Sequence, residues 1–167
     1  RPFNRVLMGK TGLYLADKII SHSKDLDRYM KSNLYKRKSK FEWFYHGYSP
    51  PETRIKDKEK RVIWLARFRR WKQPEKFLEI VKEIEADGWQ FDLIGYGDQE
   101  YEEKLKYICE EENHLNFVGR VEVGEDWEWY KKSSLFVNTS KKGFEGFPNS
   151  FIQSWLCGTP VISLNCD

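Results

Sequence analysis

Between Arg61 and Leu164 the chain alternates short apolar runs with amphipathic stretches, about five times and with short connections. The apolar runs are typical of buried strands: Arg61–Ala66, Phe91–Ile94, Asn116–Val118, Leu135–Asn138 and Val161–Leu164. The stretches between them favour helices: one from Pro74 to near Asp87 and Gly88, one striped by Tyr101, Leu105 and Ile108, one over Glu125–Lys132 and one over Asn149–Leu156. This alternation predicts an α/β fold, a Rossmann-like open parallel sheet with helices on both faces.

Residues 50–60 divide the chain, because they are rich in proline and then in charge, as linkers often are. Before them a weaker series predicts a helix near Thr11–Asp17, strands at Lys18–Ser21 and Phe41–Tyr45, and a helix that Ser23 can cap and that runs to about Asn33. We therefore expect residues 1–49 to be the tail of a preceding domain, 50–60 to be a linker and 61–167 to be the main domain. We also expect both ends to be cuts in a longer protein.

Charge is distributed unevenly along the chain. Residues 1–72 carry 20 Lys and Arg against 7 Asp and Glu, whereas residues 73–167 carry 9 against 19. A basic first part suits nucleic acid, an anionic lipid or a phosphorylated substrate, and a solvated basic surface explains it about as well. The sequence contains no nucleic-acid-binding motif, so we expect no nucleic acid partner.

Patterns of membrane spans and metal sites are missing from the sequence. No apolar run approaches the roughly 18 residues of a transmembrane helix. The three cysteines and three histidines have no metal-type spacing, and Cys109 and Cys157 lie in apolar contexts. The sequence therefore predicts no metal site, and buried thiols in a reducing compartment.

Polar and glycine-containing segments follow three of the predicted strands. They are Arg67–Lys72, Gly119 with Arg120, and Thr139–Pro148. In open parallel sheets, ligands bind beyond the carboxyl ends of the strands. These segments are therefore the candidates for a ligand site.

The third segment carries the strongest signal. It is a loop with two glycines, Gly143 and Gly146. The loop contains Glu145 and leads directly into a predicted helix. Asn149 or Ser150 is expected to cap that helix. Its free N–H groups and the positive end of its dipole form an anion site.

The segment from Glu145 to Gln153, continuing to Ile162, resembles the signature of glycosyltransferase family 4. That signature is E-G-F-G-x-x-x-x-E followed by A-x-x-x-G-x-P-V-I. Three earlier segments resemble the family's G-R-L…K-G loop, its V-G-x-G-P turn and its F-x-G strand end: Leu65–Lys72, Asp92–Asp98 and Asn116–Arg120. The resemblance is strong from residue 61 onward. Before it, Ala16–Ser21 and Phe44–Gly47 more weakly resemble the end of an acceptor domain.

The resemblance implies one half of a GT-B enzyme, in which two Rossmann-like domains hold the active site between them. It implies a retaining, metal-independent glycosyltransferase with a UDP- or GDP-linked sugar as donor and no further cofactor. The acceptor, a glycan or a lipid-linked acceptor, would bind the missing domain, so the fragment alone would be inactive. Such an enzyme of polysaccharide biosynthesis would be cytoplasmic, with peripheral contact at the inner membrane surface left open.

The resemblance also implies roles for individual residues. Arg67 and Lys72 would hold the donor diphosphate, where two cations stabilise the charge that develops on the leaving group. Glu145 would contact the hydroxyls of the transferred sugar or stabilise its oxocarbenium-like centre, which makes these three the expected catalytic residues. The other expected donor-binding residues are Gly119, Arg120 and Val121 beside the base, the loop residues Gly143, Phe144, Gly146 and Phe147, the helix residues Asn149 and Ser150, and Gln153.

Gln153 departs from the family pattern, because it stands where the family has the glutamate that binds the ribose. Glutamine can still accept from one hydroxyl and donate to another, but the charge-assisted hydrogen bond is lost. Two other interpretations remain open. One is a different enzyme on the same fold, such as a nucleotide-sugar epimerase. The other is a non-catalytic module that binds a nucleotide sugar or nucleic acid, which Gln153 and the basic first part favour.

Overall fold

The computed structural model describes residues 11–22, 24–33, 41–44, 47–53, 55–85, 87–145 and 147–164. The chain forms two compact units, Arg1–Gly47 and Tyr48–Asp167. Each unit has its own parallel sheet.

The first unit contains a two-stranded sheet and the helix that connects its strands. After helical residues 11–15 come β1 (Ile19–Ser21), α1 (Lys24–Asn33) and β2 (Phe41–Trp43). The strands pair in parallel, with Ile19 opposite Phe41. Ser23, the expected cap of α1, and Tyr45, the expected end of the second strand, lie outside the described residues.

The second unit is built on a five-stranded parallel sheet with the order β5-β4-β3-β6-β7. Its strands are β3 (Glu59–Leu65), β4 (Gln90–Ile94), β5 (Leu115–Gly119), β6 (Ser133–Asn138) and β7 (Val161–Ser163). Its α-helices are α2 (Pro74–Lys82), α3 (Gln99–Glu110), α4 (Asp126–Lys132) and α5 (Asn149–Leu156). The predicted Rossmann-like parallel fold is confirmed.

The core lies on both faces of this sheet, and β3 contributes to each. Trp64 packs on one face with residues of α2 and α3, whereas Ile63 packs on the other with residues of α4 and α5. Both side chains are buried, which explains why the strand is apolar at successive positions instead of alternating. Helices therefore cover both faces of the sheet.

Two boundaries differ from the predictions. β3 begins at Glu59, inside the segment expected to be a linker. The prediction that α2 runs to about Asp87 and Gly88 is wrong, because the helix ends at Lys82. Ile84, which lies two residues beyond the end of the helix, is 44 % exposed, so another helical turn would bury little apolar surface.

Candidate functional site

The candidate site residues lie on loops at the carboxyl edge of the five-stranded sheet. Because β3, β4, β5 and β6 run parallel, the loops that follow them emerge at the same edge. Arg67 and Lys72 follow β3, Arg120 follows β5 and Glu145 follows β6. The fold therefore brings to one edge segments that lie far apart in the sequence.

Lys72 and Glu145 form an ion pair between Lys72 Nζ and Glu145 Oε1. Their side chains are only 12 % and 17 % exposed. The second carboxylate oxygen, Oε2, accepts a hydrogen bond of 2.6 Å from Ser140 Oγ. The carboxylate is thus fixed at both oxygens, by a cation and by a hydroxyl.

A buried hydroxyl anchors the loop that carries Lys72. Thr139 Oγ1 lies 2.8 Å from the carbonyl oxygen of Lys72 and 2.7 Å from that of Gln73, and it accepts from Trp64 Nε1 at 2.8 Å. Gln73 adopts the left-handed conformation, with φ of 50°, and Pro74 then begins α2. The end of β6 therefore holds the loop that follows β3 in a defined shape.

Arg67 has a different partner from Lys72. Its guanidinium carbon lies 4.8 Å from the ring centroid of Tyr96, which follows β4. The guanidinium carbon of Arg120 lies 4.8 Å from the centroid of the same ring. The side chains of two arginines, from loops that follow different strands, therefore contact the ring of one tyrosine.

Close backbone contact fixes the position of Tyr96. Phe68 N donates to the carbonyl of Tyr96 at 2.7 Å. Gly95 has a φ of 152°, and a Cβ there would lie 1.9 Å from the carbonyl oxygen of Ala66. A Cβ at Gly97 would lie 2.8 Å from the carbonyl oxygen of Phe68. Glycine at both positions lets the turn after β4 lie directly against the backbone around Arg67.

The predicted residues at the end of β5 have backbone and core roles in this structure. Gly119 has a φ of 77°, and its carbonyl accepts from Gly95 N at 2.8 Å. Val121 packs against the core cluster that contains Ile63. The turn after β4 and the end of β5 are therefore joined through the backbone.

The glycine loop after β6 presents aromatic side chains. Gly143 has a φ of 77°. Phe144 is 57 % exposed and stacks on Trp71, with ring centroids 6.2 Å apart. Phe147 packs on Trp155 of α5. Gly146 lies outside the described residues.

The predicted side-chain cap of α5 is wrong. The helix begins at Asn149, its N-cap residue is Pro148, and no side chain makes a capping hydrogen bond. Asn149 and Ser150 are therefore already helical residues, too late in the chain to act as the cap. The main-chain N–H groups of this first turn are still those of a helix start.

Gln153, in the second turn of α5, contacts a carboxylate of a neighbouring helix. Its Nε2 donates to Asp126 Oδ2 at 2.9 Å. Asp126 is the first residue of α4. It was not among the predicted site residues.

Four residues that shape this edge were not named individually as site residues from the sequence: Tyr96, Thr139, Ser140 and Asp126. Thr139 and Ser140 lie in the candidate segment Thr139–Pro148, and Tyr96 lies in the turn Asp92–Asp98, so the rule that ligand sites lie beyond strand ends included their positions. Asp126 lies several residues beyond the end of β5. Because acidic residues are common in the first turn of a helix, its sequence position gave no sign of a role in the site.

Two other properties concern the described part of the chain. Within it, no group of three His, Cys, Asp or Glu residues is arranged to hold a metal ion. No helix among those residues has both the length and the apolar character that crossing a membrane requires.

Burial raises the pKa of the Cys109 thiol to about 11, and it also raises the pKa of the Cys157 thiol.

Residues 49–167 match the model of a protein family described as glycosyl transferases group 1. The amylovoran biosynthesis glycosyltransferase AmsD of Erwinia amylovora is 27% identical over 111 residues, which cover 65% of this chain and 30% of that protein. The chain thus spans about a third of that curated relative.

Two solved structures are similar in fold. The Anabaena protein Alr3699/HepE, in complex with UDP and glucose, has a TM-score of 0.72 and 17% identity, over 89% of this chain and 44% of that one. Sucrose-phosphate synthase of Thermosynechococcus elongatus has a TM-score of 0.74 and 22% identity, over 96% of this chain and 43% of that one. Because the family model covers more than half of the chain, this protein belongs to the glycosyl transferases group 1 family.

Proposed function

We propose that this chain is the donor-binding part of a retaining glycosyltransferase of the family 4 type. It binds a UDP- or GDP-linked sugar, and the longer protein transfers that sugar to a glycan or lipid-linked acceptor. The observation that carries this proposal is that the loops at one edge of the sheet hold both the Lys72–Glu145 pair and the two guanidiniums of Arg67 and Arg120, which contact Tyr96. The complex of HepE with UDP and glucose, and the activity named for AmsD, support it.

The cations suit the charge that develops during the reaction. The bond between the anomeric carbon and a diphosphate oxygen breaks, and negative charge accumulates on the nucleoside diphosphate. Arg67, Arg120 and Lys72 offer two guanidiniums and an ammonium at this edge of the sheet, where they stabilise that charge. Because these three side chains supply positive charge, the proposed reaction needs no metal ion, and metal independence stays part of the proposal.

Glu145 has the complementary role. Its carboxylate accepts hydrogen bonds from hydroxyls of the transferred sugar and stabilises the positive charge that grows at the anomeric carbon. Lys72 and Ser140 fix its orientation in advance, so little reorganisation is needed when the sugar arrives.

The remaining expectations depend on polypeptide outside this chain. The acceptor would bind there, so we propose that residues 61–167 are a C-terminal donor domain, preceded by the end of the acceptor domain at 1–49 and a linker at 50–60. The cytoplasmic location, the peripheral contact with the inner membrane surface, the lack of a cofactor and the inactivity of the fragment stay predictions.

A binding experiment tests the proposal. Isothermal titration calorimetry of the chain with UDP and with GDP should show saturable binding of one of them. A gel shift with random RNA at increasing salt is the parallel measurement. Salt-dependent RNA binding without nucleotide binding would favour the nucleic-acid-binding module and contradict the proposal.

A further inference from the structure

The contact between Gln153 and Asp126 joins the starts of two helices at the ligand-binding edge of the sheet. α4 and α5 each lie between successive parallel strands, so both begin on the carboxyl side of the sheet. Gln153 Nε2 donates to Asp126 Oδ2 at 2.9 Å, and both side chains are partly exposed. Solvent and ligands therefore have access to this pair.

The oxygen atoms of this pair can accept hydrogen bonds from the hydroxyl groups of a ligand. The amide uses an N–H group to hold the carboxylate, and its carbonyl oxygen stays an acceptor. An ionised carboxylate has about four lone-pair sites on two oxygens, so one hydrogen bond from Gln153 leaves most of its capacity. Two hydroxyls on neighbouring carbons match such a carboxylate, which can accept from both.

We propose that Asp126, oriented by Gln153, accepts hydrogen bonds from the 2′- and 3′-hydroxyls of the donor's ribose. The inference rests on the proposed function, because it assumes that a nucleoside diphosphate binds at this edge. Glutamine at position 153 lacks a negative charge, and the structure places the carboxylate of α4 within hydrogen-bonding distance of it. Asp126 thereby supplies a charge-assisted hydrogen bond that Gln153 cannot make.

A purely structural role makes a different prediction. Asp126 is an acid in the first turn of a helix, and its bond to Gln153 also ties α4 to α5. If that were its whole role, replacing it would change stability and would affect all nucleotides equally. Discrimination between ribose and deoxyribose is therefore the decisive measurement.

The experiment uses calorimetry with the whole chain. UDP and GDP are titrated first, and the tighter binder is then compared with its 2′-deoxy and 3′-deoxy forms. We expect the wild type to prefer the ribonucleotide by about tenfold, as hydrogen bonds to charged groups allow. Asp126→Asn keeps an oxygen that accepts from Gln153 but loses the charge, so most of the preference should disappear in a variant that still folds, with only the small drop in melting temperature that loss of an acid from a helix start produces.

Two further variants complete the design. Asp126→Ser, which also removes the charge and leaves a small polar side chain, is measured in parallel in case the asparagine variant folds poorly. Glu128→Gln removes an exposed acid from the same helix and should keep the wild-type preference. Nucleotide binding without preference for the ribose, or an unchanged preference in the folded Asp126 variants, would overturn this inference alone. No binding of either nucleotide would overturn the proposed function as well.

Discussion

Lys72 and Glu145 lie 73 positions apart in the sequence, and their side chains form an ion pair at the carboxyl edge of the sheet. Neither residue is on a strand or an α-helix: Lys72 ends a short 3₁₀ turn after β3, and Glu145 follows the glycine at position 143. Their meeting depends on β3 and β6 being neighbours in the sheet.

The cations after β3 should contribute to nucleotide binding. Arg67→Ala and Lys72→Ala are each expected to weaken binding of the nucleoside diphosphate by about 1–3 kcal/mol, the usual scale for hydrogen bonds to charged groups. Isothermal titration calorimetry measures the effect. Arg69→Ala is the matched control, because it removes an exposed arginine from the same loop. An equal loss in that variant would mean that the loop acts only through its overall charge.

The carboxylate of Glu145 should matter for the reaction more than for nucleotide affinity. In the full-length transferase, Glu145→Gln is expected to lower kcat by on the order of 10²–10³, as removal of one preorganised group does. Steady-state kinetics with the donor sugar gives kcat, and calorimetry gives the affinity for the nucleoside diphosphate. Glu122→Gln, a change on an exposed loop residue, serves as the control. A normal kcat in Glu145→Gln would exclude the catalytic role.

The buried hydroxyl of Thr139 should contribute to stability. Thr139→Val keeps the shape of the side chain but leaves the indole N–H of Trp64 without its acceptor. Loss of a buried partner costs about 1–3 kcal/mol, so the free energy of unfolding should fall by that amount. Urea denaturation measures it, and Thr139→Ser, which retains the hydroxyl, should lose less. No loss in Thr139→Val, or a larger loss in Thr139→Ser than in Thr139→Val, would contradict this role of the hydroxyl.

Gly95 should tolerate no side chain. In Gly95→Ala the new Cβ would meet the carbonyl oxygen of Ala66, and the φ of 152° would be strained as well. Gly124→Ala is a matched comparison, because Gly124 has a φ of 100° but a Cβ added there would meet no atom within 4 Å. We expect Gly95→Ala to lower the melting temperature much more than Gly124→Ala does. Similar losses would attribute the whole effect to the backbone angle.

Stability should fall in alkali partly through Cys109. Burial raises the pKa of this thiol from its ordinary value of 9.0 to about 11 in the folded protein. The unfolded chain therefore loses its thiol proton at lower pH than the folded protein does. This contribution to stability is present below about pH 9 and disappears as the pH rises towards 11. In urea denaturation from pH 8 to pH 11, Cys109→Ala should show a smaller decline than the wild type, and parallel declines would contradict this assignment.

Much of the fold could be read from residue patterns, because those patterns are local. The amphipathic pattern that follows Pro74 predicted α2, and the Asn149–Leu156 helix was predicted with its observed bounds. The end of α2 was predicted too late, since the burial of Ile84 depends on what packs against it. The cap of α5 was assigned one residue too late or more, since side-chain type alone does not show where helical geometry begins.

The sequence by itself determined that polar and glycine-rich segments follow the apolar strands, and this was enough to predict one ligand-binding edge. Only the tertiary structure decided which side chains meet there: Lys72 with Glu145, Arg67 with Arg120 at Tyr96, and Gln153 with Asp126. The physical reason is distance along the chain. Strand and helix propensities act over a few residues, whereas these contacts depend on strand order and on close backbone packing between loops that many residues separate.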